Sequence, residues 1–362
     1  MDKPAVAVLF GGRSSEHSIS SATAGGVLRA IDRDRYRVIP IGITRDGAYV
    51  LEDDEPDKFA LDADRLPEVA DNGTRIIWPD SALSRELKVR DADGERSLGD
   101  IDVVFPILHG RFGEDGTIQG FLELLDLPYV GAGVLMSAIG MDKHTTKSVL
   151  KAAGVPVVPW VTVRRADLAR NRGAWEQRIR SLGLPVFVKP ARAGSSVGVS
   201  KVTEWDELDA ALDLAFAEDG TVLVEQAIVG REIECGVLPG RDGGVPRVSV
   251  AGEIVVTGRE FYDFEAKYLD APGVDLVCPA DLHDGELAEM QRIAARAFEA
   301  AGGEGLARVD FFFTGAEFYV NELNTMPGFT PISMFPKCWI ASGMTYPELI
   351  TELIETARAD AA

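Results

Sequence analysis

The chain has 362 residues, 46% of them hydrophobic and 26% charged, an ordinary globular composition with room for two or three domains. With 37 basic against 58 acidic residues, its formal net charge of -21 argues against nucleic acid or an anionic membrane as a main partner, since both demand a basic footprint. Three cysteines without a C-x-x-C pair suggest neither a zinc site nor a disulfide framework; with no basic leader and no apolar stretch of membrane length, the reading is a cytoplasmic protein.

In chain order, residues 5–10 read as a buried strand, followed by a glycine turn, a helix and a second strand at 36–43. The acidic run 52–57 and the weakly periodic stretch 60–100 read as a surface elaboration without motif. A buried strand is expected at 102–108. A helix follows Gly116, with Ile118, Phe121, Leu122 and Leu125 at helical spacing, and then a short strand at 128–131. One helix is expected over 137–153, stopped by Gly154 and the prolines at 156 and 159. A strand at 157–163, a helix at 175–182 and a strand at 186–190 come next. The helix after them has a capping box read as Thr203 with Asp206. From 222 the chain turns to repeated strands, a long helix at 285–301, a hairpin and an amphipathic terminal helix from Pro347.

The hairpin concentrates chemistry. Around a turn at Gly315 and Ala316, period-two alternation puts Arg308 and Asp310 on one face of the first strand and Glu322 and Asn324 on one face of the second. Asp310 then falls opposite Glu322 and Arg308 opposite Asn324, to within about one residue of register. Facing carboxylates repel unless a cation lies between them, and Mg²⁺, a hard ion usually held by one or two carboxylates plus substrate phosphates, suits this set.

Only ten of the 37 basic residues are lysine, which singles out those lying in motifs: Lys143, Lys189 and Lys267. Lys189 leads into the loop 191–198, whose glycines and serines, Ser195 and Ser196 among them, let backbone N–H groups and hydroxyls approach an anion. It is neither a Walker loop nor a dinucleotide fingerprint. The stretch 258–275 has few aliphatic residues before Val274 and no period, yet carries Tyr262, Phe264, Lys267 and Tyr268, and reads as a lid-like loop.

Lys189 before its flexible loop, Glu225 and Gln226 on an acid-rich strand, Glu232, and then Asp310, Glu322 and Asn324, in this order, resemble the ATP-grasp superfamily. Six motifs across nearly the whole chain are similar to one family within it, the D-alanine:D-alanine ligases: residues 11–18, 109–116, 141–143, 194–198, 262–268 and 321–328. The resemblance implies a three-domain fold of α/β and α+β parts. These are a Rossmann-like N-terminal α/β domain (1–135), a small central ATP-grasp lobe (136–221) and a large C-terminal lobe with the metal site (222–362). It implies ATP-dependent joining of two D-alanines through a D-alanyl phosphate, for peptidoglycan precursor synthesis. It further implies two Mg²⁺ ions, replaceable by Mn²⁺, a monovalent cation and a homodimer.

By the same resemblance Lys143, Lys189 and Ser196 meet phosphates. Glu225, Gln226 and the backbone near Ile228 meet adenine, Phe261 stacks near it, and Glu232 binds ribose. Glu16 holds the first D-alanine in a hydrogen-bonded set with Ser195 and Tyr268, and His109 lies near that substrate. Lys267 adds charge at the phosphates, Ser333 and Met334 receive the second carboxylate, and Arg308 with the Gly328 N–H stabilises the tetrahedral oxyanion. Gln226 departs from relatives that carry lysine there. Two other readings stand beside this one: a ligase of the same family taking D-lactate or D-serine second, or a nucleotide-binding scaffold without catalysis.

Overall fold

A computed structural model describes residues 3–60, 66–194, 197–257 and 273–359. The first sheet has the order β3-β2-β1-β7, built from β1 (Ala5–Gly11), β2 (Arg37–Ile43), β3 (Tyr49–Leu51) and β7 (Val103–Ile107). β1 runs parallel to both β2 and β7. Every residue of β1 and β7 is buried, as expected of parallel strands covered on both faces. Helix α1 (His17–Ala30) covers one face. On the same face, Leu349 and Leu353 of the C-terminal helix pack with Val8, Phe10, Leu28 and Phe105, so the chain's end returns to its first sheet.

The other face is where the structure departs from the expectation for 60–100. Strands β4 (Arg75–Ile77), β5 (Glu86–Asp91) and β6 (Gly94–Asp100) form an antiparallel sheet. Its Ile76, Leu87 and Val89 are buried with Leu9, Ile41 and the α2 (Thr117–Leu124) residues Ile118 and Leu122. Segment 128–131 contributes only a single bridge, Tyr129 to Val104, instead of a strand.

The expected helix at 137–153 is two helices, α3 (Val134–Met141) and α4 (Lys143–Ala152). Asp142 is extended between them and its carboxylate caps α4 by accepting from the Thr145 N–H at 2.9 Å, a conformation a continuous helix forbids. The second sheet, order β10-β9-β11-β8, comprises β8 (Trp160–Arg164), β9 (Val186–Pro190), β10 (Ser200–Val202) and β11 (Thr221–Gln226). Helices α5 (Arg165–Arg170), α6 (Arg172–Arg180) and α7 (Leu208–Glu218) lie along it. The capping box before α7 belongs to Glu204 and Glu207, not to Thr203 and Asp206; the longer Glu207 side chain takes the N–H groups of both Thr203 and Glu204.

The third sheet has the order β15-β14-β12-β16-β17, with β13 (Arg247–Val248) on β12. Its main strands are β12 (Arg231–Leu238), β14 (Gly252–Val256), β15 (Val274–Val277), β16 (Ala307–Phe313) and β17 (Phe318–Asn324). The loop expected over 258–275 therefore gives way at Val274 to a strand of this sheet, β15. Alternation divides the sheet's two faces. Ile233, Cys235, Val237, Val309 and Phe311 pack under α8 (Asp284–Ala300) and against Met136, Ile139 and Leu150 of α3 and α4. Glu232, Glu234, Gly236, Arg308 and Asp310 take the opposite face, where α9 (Met334–Ala341) lies across β12. Gly236 makes that crossing possible, since a Cβ there would come within 2.4 Å of Trp339 Nε1. The chain ends in α10 (Tyr346–Ala359).

Candidate active site

A cavity of about 380 Å³, within the usual size of a small-molecule site, is lined by the second and third sheets and by the segments that follow β1 and β7 of the first. The β16–β17 hairpin forms one wall. Its register pairs Arg308 with Asn324 and Asp310 with Glu322, and it slips between Asp310 and Phe311 so that Asn321 is the extra residue. This bulge is the one residue of register that alternation alone left open. Beyond it Val320 turns into the core while Glu322 stays toward the cavity.

Arg308 grips Asp310 with both ends of its fork, Nε and Nη2 each 2.7 Å from a carboxylate oxygen, and its Nε lies 3.1 Å from Glu234 Oε2. Asn324 Nδ2 donates to Asp310 Oδ2 at 2.8 Å. Burial disfavours the Arg308 charge, but Asp310 and Glu234 more than offset it and hold the guanidinium well above its ordinary value. Among the described residues no three His, Cys, Asp or Glu side chains form a ready metal cage. Two carboxylates and an amide suffice for Mg²⁺ when phosphates complete its shell, so Asp310, Glu322 and Asn324 fit that ion, with the Asn324 amide turned to present its oxygen.

The opposite wall carries the cations. Lys189 on β9 donates to Glu225 Oε2 on β11 at 2.8 Å, a diagonal neighbour across the pair, because Lys189 itself faces Leu223. Lys147 of α4, 1% exposed, reaches Glu225 Oε1 at 3.2 Å. Burial opposes ionisation of Glu225, yet the two ammonium groups hold its pKa down at about 2. Glu225 is shared by the two lysines, and Glu322 acts on both from further away. Burial pushes at Lys189 too, but Glu225 leaves it above its ordinary value, whereas at the more enclosed Lys147 burial wins and the value falls. Lys143, the first residue of α4, donates its backbone N–H to Ala191 at 3.0 Å and its Nζ to the Ala193 carbonyl at 2.7 Å, tying it to the glycine- and serine-rich loop.

At the far end Glu16, 8% exposed, lies where β1 gives way to α1, in the crevice beyond the parallel strands. Gly110 (φ +72°) lies against it: a Cβ there would sit 2.4 Å from Glu16 Oε2, so only glycine serves. Glu114 accepts the N–H of Gly110 at 2.5 Å and of Met326 at 3.2 Å, tying the loop after β7 to the loop after β17. Burial, then the nearby Glu16, push its pKa up to about 8. His109 is bound at both ring nitrogens, donating from Nδ1 to the Met326 carbonyl at 3.0 Å, with Nε2 3.2 Å from the Thr23 hydroxyl. Burial lowers its pKa despite Glu16, leaving a neutral imidazole that joins the same two loops.

Gly328 faces the Ser333 hydroxyl, which lies 2.8 Å from that of Thr330. Ser333 precedes α9 with its hydroxyl turned to Thr330, and the first residue of the helix, Met334, is buried against Gly252. Gln226, Ile228 and Glu232 line the cavity beside Phe187 and Leu276. The expected site residues Ser195, Ser196, Phe261, Lys267 and Tyr268 lie outside the described residues. The other expected site residues border this one cavity. Sequence reasoning missed Lys147, Glu114 and Glu234. Signals existed for each: Lys147 follows Lys143 by one helical turn in a lysine-poor chain, Glu114 lies in a quoted motif, and Glu234 shares a strand face with Glu232.

Comparison with known proteins gives a consistent match. A family model described as D-ala D-ala ligase N-terminus matches residues 5–132, and one described as D-ala D-ala ligase C-terminus matches 149–355. The chain is 52% identical to a D-alanine–D-alanine ligase of Paenarthrobacter aurescens (98% of this chain, 95% of that one) and 54% identical to one of Kineococcus radiotolerans (98% and 96%). Among solved structures, the D-alanine-D-alanine ligase from Coxiella burnetii aligns with a TM-score of 0.83 at 37% identity, over 100% of this chain and 95% of that one. The VanG D-Ala:D-Ser ligase from Enterococcus faecalis aligns equally well, with a TM-score of 0.83 at 34% identity, over 98% and 100%.

Proposed function

This chain belongs to the D-alanine–D-alanine ligase family, and from that membership we propose how its cavity works. It is an ATP-dependent ligase that joins two D-alanine molecules for cell wall synthesis. The observation that carries the mechanism is the division of one cavity: cations on the second sheet and α4, an oxygen-donor set on the third sheet, and the Glu16 end beyond the first.

Lys143 and Lys189 hold the phosphates of ATP, Lys189 with charge left over because Lys147 shares Glu225. Ser196 and Lys267 add to that cradle. Glu225, Gln226, the Ile228 backbone and Phe261 border the adenine, and Glu232 the ribose. Asp310, Glu322 and Asn324 would hold the divalent metal, which would supply positive charge to neutralise the phosphates during transfer. Glu16 receives the ammonium of the first D-alanine, whose carboxylate takes the γ-phosphoryl group to give D-alanyl phosphate. His109, neutral and held at both nitrogens, keeps the wall beside that substrate in place. Ser333 and the Met334 backbone receive the carboxylate of the second D-alanine, whose amine attacks the acyl phosphate. We assign to Arg308, held in place by Asp310, and to the Gly328 N–H the stabilisation of charge growing on the carbonyl oxygen as phosphate departs. Ser195 and Tyr268 complete the hydrogen-bonded set around Glu16.

The same reading takes 1–135, 136–221 and 222–362 as its domains, a homodimer as its assembly and the cytoplasm as its place. No described helix is long and apolar enough to cross a membrane. A D-Ala:D-Ser ligase aligns over nearly the whole chain, so the fold alone does not choose the second substrate, and the motif resemblance at Tyr268 favours D-alanine. Purified protein given Mg²⁺, ATP and equal D-alanine and D-lactate at pH 7 to 8 should form mainly D-alanyl-D-alanine, with phosphate release dependent on D-alanine. Preferential D-alanyl-D-lactate would overturn the choice of second substrate, and no phosphate release would support the scaffold.

A further inference from the structure

Two of the three cysteines meet behind the cavity wall. Cys278 follows directly on β15, and Cys338 lies one helical turn beyond Met334 on α9. Their sulfurs are 3.8 Å apart although the residues are 60 apart in sequence. Cys338 is fully buried and 3.8 Å from the Glu234 carbonyl, while Cys278 is half-buried, 3.9 Å from that of Ala251. The two pack in one apolar cluster with Ile254, Met334 and Leu276, all three of which also line the cavity. The third thiol, Cys235, is buried on the other face of β12.

The pair is chemically unequal. Contact with the adjoining Cys338 sulfur draws the Cys278 thiol below its ordinary value against the opposing effect of burial, and Lys337 adds to the lowering. Cys338 is pushed well above its own by the same contact and by burial. The more exposed sulfur is thus the better nucleophile and the buried one is placed to resolve it, the arrangement that marks oxidation-sensitive thiols. The gap to a disulfide, whose bond is about 2.05 Å, is less than 2 Å by difference. Closing it means drawing the edge strand β15 toward α9, which carries Ser333 at its cap and Met334 at its first turn.

We propose that Cys278 and Cys338 are a peroxide-sensitive pair whose disulfide clamps β15 to α9 and reversibly lowers turnover. The Cys278 thiolate attacks one oxygen of hydrogen peroxide, the O–O bond breaks, and hydroxide leaves to take up a proton as water, giving the sulfenic acid. Cys338 gives up its proton and attacks that sulfur, and the second oxygen leaves as water. Two thiols and one peroxide become one disulfide and two waters. A thiol reductant reverses the change.

The test uses the full chain, exposed to graded hydrogen peroxide, quenched with an alkylating agent and digested for mass spectrometry. The expected result is a peptide linking Cys278 to Cys338, with Cys235 recovered alkylated. Dipeptide formation should fall by about tenfold, because sub-ångström displacement of a positioned group is costly, and dithiothreitol should restore it. Cys278→Ser should keep its basal turnover and resist peroxide; Cys338→Ala should also resist cross-linking and stop at a Cys278 sulfenic acid trapped by dimedone. Recovery of both thiols unlinked from the wild-type chain would overturn the pair. A linked peptide with unchanged turnover would overturn the clamp. The linked peptide is read without reference to catalysis, so its absence and a failure of the ligase reading are separate results.

Discussion

Glu225→Gln and Lys147→Met test the buried charge cluster from opposite sides. In the folded protein Glu225 titrates at about 2 against an ordinary 4.5. At about 1.4 kcal/mol per pH unit, its ionised form contributes about 3 kcal/mol of stability. A depressed carboxylate gives stability that is present above the unfolded value and lost as pH falls, here between about 4.5 and about 2. Glu225→Gln should therefore cost about 3 kcal/mol at pH 7, leaving two buried ammonium groups facing each other, and flatten the stability loss on acidification. Lys147→Met leaves one lysine with one glutamate, a balanced pair, and exchanges an enclosed ammonium for an apolar chain of similar length. Its stability should change by no more than about 1 kcal/mol. Glu225 would then belong wholly to Lys189, and the affinity for a non-hydrolysable ATP analogue with Mg²⁺ should fall several-fold. Urea unfolding followed by tryptophan fluorescence at pH 7 and below gives the first pair of values, and titration calorimetry the second. If Lys147→Met destabilises as much as Glu225→Gln, Lys147 is not the surplus cation and the account of the cluster fails.

The two halves of the hairpin should fail differently. Asn324→Ala should raise the KM for Mg-ATP, whereas Arg308→Lys, which keeps the charge that Asp310 and Glu234 need but loses the fork, should lower kcat by about 10²-fold with ATP affinity kept. Equal loss of ATP affinity in both would sink that division. Glu114 predicts a trend with pH in the unliganded protein. Its folded value of about 8 lies above the ordinary 4.5, so the stability it gives is full below about 4.5 and gone once pH passes about 8. Melting temperatures should decline from about pH 5 to about 8, and Glu114→Gln should remove part of that decline; parallel profiles for variant and parent would refute the assignment.

What could be read from the sequence follows the range of the interactions. Asp310 opposite Glu322 and Arg308 opposite Asn324 were legible because strand alternation and a glycine turn fix them locally; the residual ambiguity was the bulge at Asn321, which only the sheet's packing decides. The strands at 75–100 were illegible because they are short and bury few residues, so their period is weak until they dock on the first sheet. The break at Asp142 was misread because the apolar spacing runs through it, although aspartate is among the strongest caps. Least legible was the charge cluster, which joins α4, β9 and β11. Glu225 taken alone reads as an acceptor beside adenine; in the fold both of its oxygens face lysines. Its first physical task is then to keep two cations buried in the absence of nucleotide, and an adenine contact is a second task shared with that one. A carboxylate with only the nucleotide to serve should be replaceable by glutamine at the expense of affinity alone, which is why the stability of Glu225→Gln, more than its KM, decides what this residue is for.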